Sequence, residues 1–338
     1  MRGLDLTSGA QMRGSSRIFA AATTVVIAAA ALAFSGKFRP AEAYPDRPIT
    51  VIVPYPAGGG TDIVARTLTA LLEQELGVPL NVVNRGGGGG LIGTQAIADA
   101  KPDGYTLGVI ASDVSLYKPQ KLSDLTYEKL TPIGQTNELP SGITVNVSSP
   151  YKTAAELIAD IKAKPNTLKG TGAPPNLNWH VAYAGLMLRL GIDPNSVIWV
   201  PTQGGTAGHL DVAAGNSTFS TASLAEARAL IDSGKLRPLA VMANKRLEMY
   251  PDVPTVKEAL NVDWTFSLWH GLVGPANLPK EVLDVIVPAM EKVVKKDEFR
   301  KPLQERGFTL VWRDPTAFRE FMASDLKAME SVLSALNK

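Results

Sequence analysis

A loop with three consecutive glycines has the composition expected of an anion-binding site. Residues 54–62 follow an uninterrupted apolar run at Ile49–Val53 and open an amphipathic stretch. Glycine lets the backbone approach a ligand closely, and the unpaired amides and dipole of a helix N-terminus favour negative charge. The alternative is a plain turn capped by Thr61 or Asp62. Three glycines exceed what a cap requires, which favours an anion site, although the charge of Asp62 suits a cap better than a ligand contact.

Three further loops follow predicted strands and carry polar residues but no lysine or arginine. They span residues 170–178, 202–206 and 221–223. Ligands of open α/β sheets lie outside the carboxyl ends of the strands, so all four loops can contribute to one site for a small polar anion. The expected binding residues are Tyr55, Ala57, Gly58, Gly59, Thr61, Asp62, Ser112, Thr171, Gly172, Ala173, Asn176, Thr202, Gln203, Gly204 and Ala222.

A glycine run at residues 86–90 raises a second hypothesis, that of a nucleotide-binding protein. Residues 88–93 match the pattern G-x-G-x-x-G between a predicted strand and a predicted helix, and Asp113 lies twenty residues beyond Gly93. The alternative is a flexible turn that lets the following helix pack on the sheet. Because five glycines match the pattern almost automatically, the signal is weak, and use of the Gly86 to Gly93 loop for a nucleotide stays open.

A third hypothesis is a periplasmic enzyme that uses His180 or His209, both of which lie near the candidate loops. A general base needs a nucleophile and an orienting acid within reach, and the sequence has neither a G-x-S-x-G elbow nor an H-E-x-x-H motif. The two histidines are therefore expected to start helices or pack. With three histidines and no cysteine in the chain, we expect no metal site and no cofactor.

The first 43 residues have the organisation of a secretory signal peptide. Arg13 and Arg17 precede an uncharged stretch at residues 18–34, and Ala41-Glu42-Ala43 forms a small-x-small cleavage site. A retained membrane anchor is the alternative, but the apolar run is short for a spanning helix. We expect cleavage after Ala43 and a location in the periplasm. The rest of the chain has 29 basic and 30 acidic residues, which gives no reason to expect a nucleic-acid partner.

Short apolar runs alternate with helical stripes along residues 44–338. Alternation of this kind predicts βαβ units in an α/β fold, with mostly parallel sheets and helices on both faces. The predicted strands are 49–53, 80–83, 106–111, 168–170, 197–200, 236–242 and 309–312. The predicted helices are 62–76, 91–100, 157–164, 179–190, 225–233, 280–296 and 315–336.

Several motifs, in order and spacing, resemble the receptors of the tripartite tricarboxylate transporter family, also called Bug receptors. They are distributed over essentially all of residues 44–338. The motifs are Tyr44-Pro45-Asp46-Arg47-Pro48-Ile49, Val53-Pro54-Tyr55-Pro56-Ala57-Gly58-Gly59, Asn84-Arg85-Gly86, Pro102-Asp103-Gly104-Tyr105, Gly204-Gly205, Gly234-Lys235-Leu236-Arg237, Pro251-Asp252-Val253-Pro254-Thr255 and Trp269-His270-Gly271-Leu272.

The resemblance implies a two-domain periplasmic binding protein of type II without catalytic activity. Its domains would be residues 44–143 plus 269–338 and residues 144–268, joined by a hinge. A small carboxylate would bind between them through the loops at 55–62 and 171–176, and permease subunits in the membrane would accept it from a monomeric receptor. Many relatives have an aspartate where Ala222 stands, which argues for a plain di- or tricarboxylate rather than an amino acid.

Overall fold

A computed structural model describes residues 44–336, so the predicted signal peptide at residues 1–43 lies outside the described part of the chain. The strands are β1 (Ile49–Val53), β2 (Leu80–Asn84), β3 (Thr106–Ala111), β4 (Leu130–Pro140), β5 (Gly142–Asn146), β6 (Lys169–Thr171), β7 (Ile198–Val200), β8 (Phe219–Ser220), β9 (Leu236–Val241), β10 (Ser267–Pro275) and β11 (Thr309–Arg313).

Helices occupy most of the connections between these strands. They are α1 (Gly60–Leu76), α2 (Leu91–Ala98), α3 (Ala154–Ala163), α4 (Asn178–Arg189), α5 (Gly205–Ala213), α6 (Leu224–Asp232), α7 (Val256–Leu260), α8 (Lys280–Val294), α9 (Asp297–Glu305) and α10 (Pro315–Leu336). Among residues 44–336, no helix combines the length and apolarity needed to span a bilayer.

The strands form two sheets, which confirms a two-domain α/β architecture. One sheet has six strands in the order β11-β4-β10-β3-β1-β2, and the other has five in the order β7-β6-β8-β5-β9. The prediction of mostly parallel sheets was wrong, because four of the nine strand pairs are parallel and five are antiparallel. The antiparallel pairs all involve β4, β5 or β10, which the alternating pattern did not predict.

The chain crosses between the sheets twice, from β4 to β5 and from β9 to β10. The two crossings are hydrogen-bonded to each other, since the Ser141 amide donates to the Phe266 carbonyl, the Met242 amide to Ser141, and the Phe266 amide to Met242. The domain boundaries expected after residues 143 and 268 stay predictions, and they fall within β5 and β10.

Both faces of the six-stranded sheet are buried. Along β1, Ile49, Val51 and Val53 belong to one apolar cluster, and Ile52 belongs to another on the opposite face. Alternate side chains of a strand point to opposite faces, so a strand covered on both sides is mostly apolar, and in β1 the half-buried Thr50 is the one polar residue. This burial explains the largely apolar run in the sequence. The loop after β1 therefore begins at the carboxyl end of a buried strand.

Candidate functional site

The glycine loop at the carboxyl end of β1 leads into helix α1, whose N-terminus has no side-chain cap. Helix α1 begins at Gly60, and its N-cap residue Gly59 makes no side-chain capping hydrogen bond. The loop residues Ala57, Gly58 and Gly59 are exposed. The first amides of a helix have no partner within the helix, and those of a 17-residue helix carry the positive end of its dipole. The arrangement therefore presents unpaired donors to an anion.

Asp62, in the first turn of α1, does not cap this terminus but folds the loop beneath it. Its carboxylate accepts from the Gly58 amide at 2.8 Å, from Arg66 Nε at 2.9 Å and from Asn84 Nδ2 at 2.9 Å. Burial acts to raise the pKa of Asp62, but these hydrogen bonds outweigh it and lower the pKa. The Gly58 amide is thus occupied within the protein, and Asp62 has a loop-forming role. Thr61 is buried beside it.

Tyr55 and Asp113 link the loops that follow β1 and β3. The Tyr55 hydroxyl donates to Asp113 Oδ2 at 2.7 Å, and burial together with the Asp113 charge raises the pKa of Tyr55 well above its ordinary value. Burial also raises the pKa of Asp113, although hydrogen bonds from Tyr55 and Asn178 act against that shift. Ser112, the preceding residue, is buried, and its Oγ has no hydrogen-bond partner within residues 44–336. A polar atom of this kind is available to a ligand or a water molecule.

Two hydrogen bonds connect this edge to the second sheet. Asn178 Nδ2 donates to Asp113 Oδ1 at 3.0 Å, and Gln120 Nε2 donates to the Asn176 carbonyl at 2.7 Å. Asn176 precedes α4 and Asn178 is its first residue, so the segment after β6 meets the loops after β1 and β3. The structure thus brings together residues that lie more than fifty positions apart in sequence.

The loops after β6 and β7 lie side by side in the second domain. Thr171 Oγ1 donates to the Val200 carbonyl at 2.9 Å and lies 3.3 Å from Thr202 Oγ1. Gly172 packs so closely on α5 that a Cβ at Gly208 would lie 2.7 Å from its Cα. The absence of a side chain at Gly208 therefore permits this contact. The Ala173 carbonyl accepts from Trp199 Nε1 at 2.9 Å, which fixes the next turn of the loop.

A buried carboxylate organises the remaining two loops. Glu226 accepts from the amide and hydroxyl of Ser223, the N-cap of α6, and also from the Gly205 amide at the start of α5. Burial raises the pKa of Glu226, although these bonds act to lower it. The Ala222 amide donates to Ser220 Oγ at 3.2 Å. The loop of Thr202, Gln203 and Gly204 is therefore tied to that of Ala222 by one side chain.

Both histidines of the enzyme hypothesis have structural partners. His180 Nδ1 accepts from the Asn176 amide at 2.9 Å, and His209 lies between Thr144 Oγ1 and the Ser223 carbonyl at 3.1 and 3.0 Å. Burial lowers the pKa of each to about 4. They match the expectation of helix-start and packing residues. Within the described residues, no group of His, Cys, Asp or Glu has the arrangement of a metal site.

The glycine run of the nucleotide hypothesis packs against the first loop. A Cβ at Gly90 would lie 2.9 Å from the hydroxyls of both Tyr55 and Tyr117, and Tyr117 donates to the Gly89 carbonyl at 3.2 Å. Asp113, the acid that follows the glycine pattern by twenty residues, accepts hydrogen bonds from Tyr55 and Asn178. The run therefore acts as a close-packed turn beside the loop after β1.

The sequence did not predict four polar residues that hold this site together. They are Asn84, Asp113, Gln120 and Asn178, and each bonds a residue that is distant in sequence. Asp113 was part of the nucleotide-binding pattern and was not among the expected binding residues. Asn84 belongs to the family motif Asn84-Arg85-Gly86, and Asn178 is the last residue of the candidate loop at 170–178.

The fold and these loops define a class of two-domain solute-binding receptors, and comparison with known proteins identifies the family. The family profile described as "Tripartite tricarboxylate transporter family receptor" matches residues 64–338, and the chain belongs to this family. It is 28% identical over 297 residues to Protein BugT of Bordetella pertussis, across 87% of this chain and 90% of BugT.

Solved structures of the family superpose on the whole described region. A TctC solute-binding protein from Polaromonas without ligand has a TM-score of 0.77 at 32% identity, covering 86% of this chain and 99% of that protein. MatC from Rhodopseudomonas palustris, solved with bound malate, has a TM-score of 0.71 at 25% identity, covering 86% of this chain and 100% of MatC.

Proposed function

We propose that this chain is a periplasmic receptor that binds a small di- or tricarboxylate between its two domains and delivers it to permease subunits of a tripartite tricarboxylate transporter. Membership of the receptor family supports this function directly. The malate bound by MatC makes malate the first ligand to test. Binding would occur on the four loops at the carboxyl ends of β1, β6, β7 and β8, together with Ser112 after β3.

The open N-terminus of α1 is the observation that carries the proposal. Its capping position is a glycine, and the only acid of its first turn is held away by Gly58, Arg66 and Asn84. A carboxylate at this position would receive hydrogen bonds from the backbone and the favourable field of the helix dipole. Ser112 Oγ offers an additional donor from the neighbouring loop.

Several further properties belong to the same proposal. The receptor works as a monomer and without a cofactor, and it catalyses no reaction, because the two candidate histidines are occupied by structural hydrogen bonds. It is exported with cleavage after Ala43, and its domains hinge at the two crossings near Ser141 and Phe266. Cleavage is tested by the intact mass of the protein recovered from the periplasm, where an uncut chain in the membrane fraction would contradict it.

A thermal-shift screen tests the binding function. Malate, succinate and citrate would be compared with NAD, using the exported protein after removal of any ligand carried through purification. A bound ligand at a hundredfold excess over its dissociation constant should raise the free energy of unfolding by about 2.7 kcal/mol. A shift with a carboxylate and none with NAD supports the receptor. A shift with NAD alone would favour the nucleotide hypothesis.

A further inference from the structure

A cavity lies between the two domains, and none of the candidate binding loops lines it. Its volume is about 630 Å³, which is within the usual range for small-molecule sites. The deeper wall is apolar and includes Trp264, Phe266, Phe308, Leu310 and Met329. Trp264, Phe266, Phe308 and Met329 are almost completely buried in the protein.

The sheet order places this cavity on the opposite flank of the hinge. In the six-stranded sheet, β4 and β10 separate β11, which lines the cavity, from β3 and β1, which carry the candidate loops. In the five-stranded sheet, β5 separates β9, whose following segment lines the cavity, from β8, β6 and β7. An occupant would therefore touch both domains without entering the carboxylate site.

Some charged side chains at the cavity have an ion-pair or hydrogen-bond partner, and others have none. Glu138 binds Arg313 Nη1 at 2.7 Å, and Asp325 accepts from Trp269 Nε1 at 2.9 Å. Arg246, which also lines the cavity, pairs with Glu258 at 3.0 Å.

Among the lining residues, Lys245, Arg300 and Glu248 have no side-chain hydrogen bond or ion pair within residues 44–336. Lys245 and Glu248 are exposed, and Arg300 is half-buried. Lys245 and Arg300 are therefore available to an anionic group beside the apolar wall, whereas the lining acid Asp325 is already engaged by the Trp269 indole. This combination suits a ligand with a single anionic group and an apolar body.

We propose that this cavity is a second ligand site, which binds an amphipathic monocarboxylate with its carboxylate between Lys245 and Arg300 and its apolar part against Trp264 and Phe308. A small, strongly hydrated dicarboxylate would leave the apolar wall uncovered, and a neutral hydrocarbon would leave both cations unpaired. The site is thus chemically distinct from the cation-free loops of the carboxylate receptor.

Octanoate and the fluorescent anion 1-anilinonaphthalene-8-sulfonate are suitable probes. The native protein should enhance the fluorescence of the dye, and octanoate should displace it. The double variant Lys245→Glu, Arg300→Glu should weaken octanoate binding about tenfold or more, because each cation contributes a charge-assisted hydrogen bond. Ser324→Trp, at an exposed lining position on α10, should block the cavity sterically without disturbing the core.

Two controls make the result specific. The variant Lys162→Glu, Lys235→Glu produces the same change in net charge at exposed residues outside the cavity, and it should leave octanoate binding unchanged. Gly59→Asp, which is designed to close the carboxylate site, should also leave it unchanged. Equal binding by the native protein and by both cavity variants would overturn the second site. Loss of octanoate binding in Gly59→Asp would overturn it too, by assigning octanoate to the carboxylate site, while leaving the receptor function intact.

Discussion

Asp113 and Asn178 form a hydrogen bond of 3.0 Å that joins the two domains beside the proposed carboxylate site. Asp113 follows β3 of the six-stranded sheet, and Asn178 is the first residue of α4, which follows β6 of the five-stranded sheet. Because Asp113 also accepts a hydrogen bond from the Tyr55 hydroxyl, one carboxylate orients side chains from both sides of the site. The contact couples the relative position of the domains to the geometry of the binding loops.

Removing this contact should weaken ligand binding. In Asn178→Ala, the two domains lose the hydrogen bond from Asn178 to the Asp113 carboxylate, which is worth about 1.5–3 kcal/mol. The dissociation constant should therefore rise roughly tenfold to a hundredfold. Isothermal titration calorimetry with the carboxylate found in the screen measures the change.

A matched control separates this effect from a general loss of stability. Tyr151 donates to Asp160 Oδ2 at 2.8 Å, a bond of the same type within the second domain alone. Asp160→Asn should therefore leave the dissociation constant within about twofold of the native value, since surface substitutions have small effects. Unchanged affinity in Asn178→Ala would show that the interdomain contact has no role in binding.

Gly59 offers a test in which stability and binding move in opposite directions. Its φ of −75° and ψ of 169° suit a capping residue. Aspartate there should cap α1 and raise the free energy of unfolding by a few tenths of a kcal/mol. The same carboxylate would occupy the amides and repel an anionic ligand, so binding should fall below detection.

Gly59→Asn is the uncharged control, because it caps equally well without the repulsion. It should bind more weakly than the native protein but measurably better than Gly59→Asp. Urea unfolding and calorimetry on the three proteins give both quantities. Native affinity in Gly59→Asp would place the ligand away from α1 and contradict the proposed site.

The sequence predicted the buried parallel strands and the long helices well, and it failed for β4, which leads into the first crossing between the sheets. β1, β3 and α10 have the predicted bounds, because short, mostly apolar runs and a sustained helical stripe are strong signals. β4 contains Pro132, Gly134 and Pro140 and the polar run Gln135 to Glu138, so it has no strand-like periodicity. Its conformation depends on antiparallel pairing with β10 and β11, a long-range relationship that local pattern does not contain.

The site was predictable where backbone geometry decides and unpredictable where side chains meet across domains. Glycine clusters after strands identified the loops near Gly59 and Gly172. The partners of Asp113 are separated from it by 58 and 65 residues. A single sequence does not show such pairings, and Asp62 was expected to cap a helix that it instead leaves open.

Gly208 should tolerate no side chain, because Gly172 lies directly against it. A Cβ at residue 208 would lie 2.7 Å from the Gly172 Cα and 2.9 Å from its amide nitrogen, and both are backbone atoms. Gly208→Ala should therefore push the loop after β6 away from α5 and destabilise the protein by about 1–3 kcal/mol. Carboxylate affinity should fall with it.

Gly59→Ala is the control for that substitution, because its Cβ would have one neighbour, the Pro56 carbonyl oxygen at an ordinary 3.4 Å. Its loss of stability should be limited to the poorer N-cap that alanine provides, about 1 kcal/mol or less. Thermal unfolding with and without ligand distinguishes the two proteins. A native ligand-induced shift in Gly208→Ala would mean that the contact between the loop and α5 does not matter for binding.

Acidification should destabilise the protein through His209. Burial lowers the pKa of His209 to about 4 from an ordinary value of 6.5. The folded state therefore holds the imidazole neutral between these values, whereas the unfolded chain binds a proton. The contribution of neutral His209 to stability is present above pH 6.5 and is lost as the pH falls towards 4.

On acidification, His180 and His270, whose pKa values are also lowered, destabilise the folded protein in the same way. Burial raises the pKa of Asp325 to about 6, so Asp325 stabilises the folded protein on acidification.

Comparison of the native protein with His209→Gln isolates the contribution of His209 from this sum. The variant should be less stable at pH 7, because it disturbs the hydrogen bonds to Thr144 and Ser223. The stability gap should narrow by about 1–3 kcal/mol between pH 7 and pH 4.5, since only the native protein loses the histidine contribution. Urea unfolding at both pH values measures the gap, and a constant gap would show that His209 titrates normally in the folded protein.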